Sequence, residues 1–141
     1  MSIVNCRLSP KPLRLHAREK NALFKSITRY LPEDFDFCEY ERVWRYDASP
    51  EYGKGFNVDI FARAENPENY SLIVEVKSRD LKKFSKDEVM DFERKFVEVK
   101  KMEGIERAVG FVFSRSGFTK EAEEYGKERG IACSEDERWL D

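Results

Sequence analysis

Hydrophobic spacing divides this chain into stretches of two kinds, helical and alternating. Over residues 13–31 the spacing is helical: at about 100° per residue, Leu15, Ala22, Leu23, Ser26 and Tyr30 gather on one face. The stretch before it, residues 1–12, ends in Ser9-Pro10-Lys11-Pro12 and reads as an arm, because proline cannot continue a helix from that side. Leu31-Pro32-Glu33-Asp34 stops the helix. Aromatic and β-branched runs follow at residues 35–46, 56–64 and 70–77, separated by a loop over residues 47–55 with Pro50, Gly53 and Gly55, and by the turn Glu65-Asn66-Pro67-Glu68-Asn69. Three strands with short links predict an antiparallel meander.

Helical spacing returns at residues 85–102. Ser85 and Glu88 form a capping box, Phe84 and Val89 a hydrophobic staple, and Val89, Phe92, Phe96 and Val99 an apolar stripe. Arg94, Lys95, Lys100 and Lys101 are assigned to a mostly solvated face. An apolar strand at residues 107–114 comes next, then a helix capped by Thr119 and closed at Gly130, then a short strand at residues 131–133. A strand, a long crossover and another strand imply a parallel, right-handed unit. The expected organisation is an N-terminal arm (1–12), one domain (13–133) and an acidic tail (134–141) carrying Trp139.

Charge within these apolar runs is what changes the picture. In Leu72-Ile73-Val74-Glu75-Val76-Lys77-Ser78, alternation sends Leu72, Val74 and Val76 to one face and Ile73, Glu75 and Lys77 to the other. If Ala64 faces Tyr70 across the turn, the residue opposite Glu75 is Asp59, with Cβ atoms about 5 Å apart. Asp59, Glu75 and Lys77 then form one cluster. Two carboxylates that close repel unless a cation joins them or one is protonated, and a metal is the simplest resolution. The plainer reading of Glu75 and Lys77 is a solvated pair at a fraying strand exit. Glu19 lies centrally on the packing face of the first helix, where either a salt bridge or a function would account for a carboxylate. His16, at the margin of that face, reads as structural.

Composition narrows the function classes. The net charge of −2 gives no global sign of nucleic-acid binding, which leaves only a local basic face for that purpose. Cys6, Cys38 and Cys133 are odd in number and lack ligand spacing, as expected of reduced thiols in a soluble, cytoplasmic protein. One histidine rules out sites built on paired histidines, and no stretch reaches membrane-spanning length. A small-molecule enzyme is disfavoured: no glycine-rich phosphate loop follows a strand, and no Ser/His or Cys/His pair suggests itself.

With Asp59 on one strand, Glu75-Val76-Lys77 on the next and Glu19 on the preceding helix, the chain resembles the PD-(D/E)xK, or restriction-endonuclease-like, nuclease superfamily, nearest to its Mrr-like and Holliday-junction-resolvase-like members. Gly110-Phe111-Val112-Phe113-Ser114-Arg115-Ser116-Gly117-Phe118-Thr119, leading into a helix, is similar to the last part of Mrr-like members. Two departures are visible. Val58 stands where the family often has proline, and the helix after the motif has no glutamine, Asp91 being the polar residue offered there.

The resemblance implies an α/β fold with an αβββαβ(αβ) core, a central mixed sheet flanked by helices. It also implies hydrolysis of DNA phosphodiester bonds with Mg²⁺ or Mn²⁺. Asp59, Glu75, the Val76 carbonyl and Glu19 would be the metal ligands, and Lys77 would orient the attacking water and offset negative charge. Arg79, Lys82 and Lys83 at the strand exit are candidate phosphate contacts, with a solvated loop as the alternative. DNA is the expected partner, and a homodimer or a protein partner is compatible with the resemblance. The rival function is a non-catalytic module that keeps this fold to bind a protein or nucleic acid.

Overall fold

The computed structural model describes residues 27–36, 38–48 and 55–136. The arm, most of the first predicted helix with His16 and Glu19, Cys6, and the tail residue Trp139 lie outside the described residues. Strand β1 spans Tyr40–Ala48, β2 Phe56–Ala64 and β3 Ser71–Lys77; helix α1 spans Lys86–Glu103, β4 Ala108–Ser114, α2 Lys120–Arg129 and β5 Ile131–Ser134. These form a five-stranded mixed sheet in the order β1-β2-β3-β4-β5. The first two pairings are antiparallel and the last two parallel. The expected meander and parallel units are both present, in a mixed α/β arrangement.

β1 begins later than the aromatic run suggests. The Phe35 N–H closes a turn on the Pro32 carbonyl at 3.1 Å, so the chain is still turning where apolar residues had predicted a strand. Phe35 itself is buried and packs at 5.9 Å, ring to ring, on Tyr70. Its apolar character serves the core rather than a ladder.

α1 starts as expected. Ser85 and Glu88 exchange both capping-box hydrogen bonds, and Phe84 and Val89 are fully buried. Both helices lie on one face of the sheet. On that face, a Cβ at Gly110 would sit 3.0 Å from the Phe92 ring, so glycine lets α1 approach β4 closely. α2 makes a similar approach, with Gly126 against Ile131 and Cys133 of β5. The helices are tied to each other where the Tyr125 hydroxyl donates to Glu93 at 2.5 Å.

Both faces of the sheet are buried. Phe61, Ile73 and Val112 on the helix-covered side have no exposed surface, and neither do Val58 and Phe113 on the other. This is the burial expected of a central sheet layer, and it explains why β3 and β4 read as nearly continuous apolar runs. A charged group in such a layer stands out.

Candidate active site

The β2–β3 ladder pairs Ile60 with Val74, Phe61 with Ile73 and Ala62 with Leu72, the register expected from the turn. It ends there, one pair short of Asp59 and Glu75. Backbone groups alternate sides along a strand, so those of Val76 turn toward β2 and those of Lys77 toward β4. On the β4 side pairing continues, with the Lys77 carbonyl accepting from the Arg115 N–H at 3.0 Å. On the β2 side the Val76 N–H donates instead to Oδ2 of Asp59 at 2.8 Å. A side chain thus replaces a ladder bond. It draws the Asp59 carboxylate against the β3 backbone between Glu75 and Lys77.

Glu75 is 6% exposed and faces α1. Its Oε1 accepts a hydrogen bond from Nζ of Lys95 at 3.1 Å. Burial pushes its carboxyl above the usual glutamate range; Lys95 and then Lys77 oppose that push, Asp59 adds to it, and the net direction is upward. Lys77 is half-buried, and its ammonium forms no hydrogen bond or ion pair among the described residues. Its charge nevertheless reaches the Glu75 carboxylate.

The structure therefore brings Asp59, Glu75 and Lys77 together, while Glu19 lies outside the described residues. No group of three or more His, Cys, Asp and Glu residues able to hold a metal occurs among the described residues; Asp59 and Glu75 contribute two.

Two sequence assignments are corrected. Lys95 does not belong to a solvated face: it reaches the sheet and pairs with Glu75. The signal was present, since Lys95 follows Phe92 by three residues and precedes Val99 by four, which places it about 40° from Val99 around the helix. Asp91, offered as a substitute for glutamine, is exposed and pairs with Arg94 at 2.9 Å.

The loops leaving β3 and β4 are fastened to each other beside this cluster. The Phe84 N–H donates to the Gly117 carbonyl at 2.9 Å, the Thr119 N–H to the Phe84 carbonyl at 3.0 Å, and the Ser116 hydroxyl to the Lys82 carbonyl. Gly117 takes φ +86°, a left-handed turn that suits glycine. Arg79 is drawn back from solvent, 2.9 Å from Glu88 and over the Phe84 ring. Lys82 and Lys83 are exposed, and between them and Arg79 the Leu81 side chain stands free.

The sequence model of the Mrr_cat family, described as restriction endonuclease, matches residues 35–140. No curated protein matches. Among solved structures, a protein of unknown function, AF1548, aligns with a TM-score of 0.51 at 18% identity, covering 64% of this chain and 48% of the other. A repair endonuclease from Pyrococcus abyssi aligns at 0.47 and 18% identity, covering 86% and 47%. The chain thus spans about half the length of either structure. The first likeness speaks for the fold alone. The family match covers most of the chain and agrees with the resemblance read from Asp59 and Glu75-Val76-Lys77: the chain belongs to the Mrr_cat restriction endonuclease family.

Proposed function

We propose that this chain is a divalent-metal-dependent endonuclease acting on DNA, with Asp59, Glu75 and Lys77 as its catalytic residues. The observation that carries the reading is the notch where β2 and β3 part. Two carboxylates and an ammonium with no partner among the described residues meet there in an otherwise apolar sheet, and the Val76 N–H holds one of the carboxylates.

The donor set suits Mg²⁺ or Mn²⁺, which take oxygen ligands. Asp59 Oδ1 and Glu75 Oε2 accept no hydrogen bond among the described residues. The Val76 carbonyl turns to the same side as its N–H, toward Asp59. Glu19 would complete the set. When bound, the ion would polarise a phosphate oxygen and lower the pKa of a bound water.

This chain's own residues do the rest. Asp59, steadied by the Val76 amide, and Glu75, steadied by Lys95, keep two acceptors at fixed positions. Lys77, free of any partner among the described residues, hydrogen-bonds the attacking water and offsets the charge that develops on the phosphate. Lys82 and Lys83 contact the phosphate backbone from the exposed loop, and Arg79 stiffens that loop through Glu88.

A second reading, a non-catalytic nuclease-fold module, draws on the Glu75–Lys95 ion pair, which supplies Glu75 with a cation from within the fold. Cleavage assays separate the two. Incubated with Mg²⁺ or Mn²⁺, the wild type is expected to cut at least one of duplex, branched or single-stranded DNA, and Asp59→Asn to lose that activity while its unfolding midpoint holds. A wild type that binds neither ion, by calorimetry with and without DNA, and cuts none of the substrates would sink the nuclease reading.

A further inference from the structure

The Glu75–Lys95 pair joins an almost fully buried glutamate side chain to a lysine side chain on α1 that is itself three-quarters buried. Taking both charges out of water is costly, and the pair persists only because each satisfies the other. Phe92 and Val99, on either side of Lys95 along α1, are fully buried, so the apolar face of the helix does not depend on the Lys95 charge. Its placement does one specific thing, which is to put a fixed positive charge on the Glu75 carboxylate from the α1 side. Lys77 lies on the same face of the same strand, two residues on. Glu75 is therefore flanked by two cations, and only Lys95 is fastened to it.

Resting on the nuclease reading above, we infer that Lys95 is a built-in competitor and positioning residue for the metal at Glu75. It holds the carboxylate in one orientation before an ion arrives, and its charge opposes the ion's arrival. A divalent cation that uses Glu75 must either share the carboxylate with Lys95, one oxygen each, or displace the ammonium. Either way Lys95 weakens binding, because two like charges within a few ångströms in a largely buried setting repel strongly. The consequence is a site with low affinity for free Mg²⁺ or Mn²⁺, filled effectively only when a further anion, the substrate phosphate, adds its charge. Metal loading and substrate binding become coupled through one lysine.

The test is Mn²⁺ titration by calorimetry of the wild type, Lys95→Met and Lys95→Gln, each with and without a short duplex. Methionine keeps much of the aliphatic bulk without the charge; glutamine keeps an N–H donor for Glu75 without the charge, and serves if the methionine variant folds poorly. Both neutral variants are expected to bind Mn²⁺ about tenfold more tightly than the wild type in the absence of DNA. The gain in affinity that DNA brings should shrink in both. Mn²⁺ should also raise their unfolding midpoints more than it raises the wild type's. If the wild type binds Mn²⁺ and the neutral variants bind it equally or more weakly, the inference about Lys95 is overturned and the nuclease reading stands. If none of the three binds Mn²⁺ with or without DNA, the inference about Lys95 falls, and the nuclease reading falls with it when the wild type also fails to bind Mg²⁺ and cuts none of the substrates.

Discussion

Charges gather at two regions of this molecule, and the way they are matched differs. Toward the end where β3 begins, the Glu103 carboxylate accepts from the Tyr46 hydroxyl at 2.7 Å and from the Arg63 guanidinium at 3.0 Å. Nearby, Asp34 accepts from Tyr70 at 2.8 Å and pairs with Arg107, whose guanidinium lies over the Tyr70 ring. Glu103 and Asp34 each have one arginine and one tyrosine. At the opposite end of β3, Asp59 and Glu75 face two lysines; among the described residues one of these lysines is without a partner, and one carboxylate is held only by a backbone amide. Matched charge is architecture: it joins β1, β2 and α1, or the segment before β1 to the entry of β4. Unmatched charge in a buried layer is tolerated only where something else completes it, and that is the physical ground for placing chemistry at Asp59, Glu75 and Lys77.

The unmatched end should respond most strongly to substitution. Lys77→Ala should lower DNA cleavage by roughly 10²–10³-fold, the loss typical of removing one group that stabilises developing charge. Since Lys77 holds no partner among the described residues, its unfolding midpoint should move little. The matched end should respond in the opposite sense. Glu103→Ala leaves the Tyr46 hydroxyl without its acceptor and Arg63 Nη1 without its carboxylate, while Arg63 Nη2 keeps the Glu103 carbonyl, and should destabilise the fold by about 1–3 kcal/mol in urea unfolding. Activity per folded molecule should be unchanged. If Glu103→Ala abolished cleavage without loss of stability, or Lys77→Ala unfolded the protein, the division into structural and chemical charge would be wrong.

Much of this was legible in the sequence, for reasons that can be traced to particular residues. The caps of α1 and α2 are local motifs, so Ser85, Glu88, Thr119 and Gly130 announce their own positions. The β2–β3 register follows from a short turn and strict alternation, which is why Asp59 could be set opposite Glu75 before any coordinates. What escaped depended on contacts between distant elements. Lys95 sits at the edge of an apolar stripe, where sequence cannot say whether a long side chain bends toward solvent or reaches the sheet. Glu103 and Arg63 look like ordinary surface residues until α1 is laid across β2. The start of β1 was misplaced because Phe35 carries strand-like apolarity while its backbone is committed to a turn.

A smaller effect is expected at Asp34, in the matched region. The hydrogen bond from Arg107, followed by that from Tyr70, holds the Asp34 carboxyl below the usual aspartate range. A carboxyl whose folded pKa is depressed contributes stability that is present above its unfolded pKa of about 3.9 and is lost as pH falls through the folded value. The wild type should therefore exceed Asp34→Asn in stability at neutral pH, and the gap should close on acidification below about pH 4. Asp34 and Arg107 are largely open to solvent, so the gap is expected to be modest and to narrow with added salt. Unfolding midpoints of the two proteins at pH 7 and at pH 3, each in low and high salt, measure it. A gap that persisted unchanged at pH 3 would mean that Asp34 acts through the geometry of its turn rather than through its charge. The Asp34–Arg107–Tyr70 group would then leave the electrostatic side of the comparison, and Glu103 would be its only firm representative.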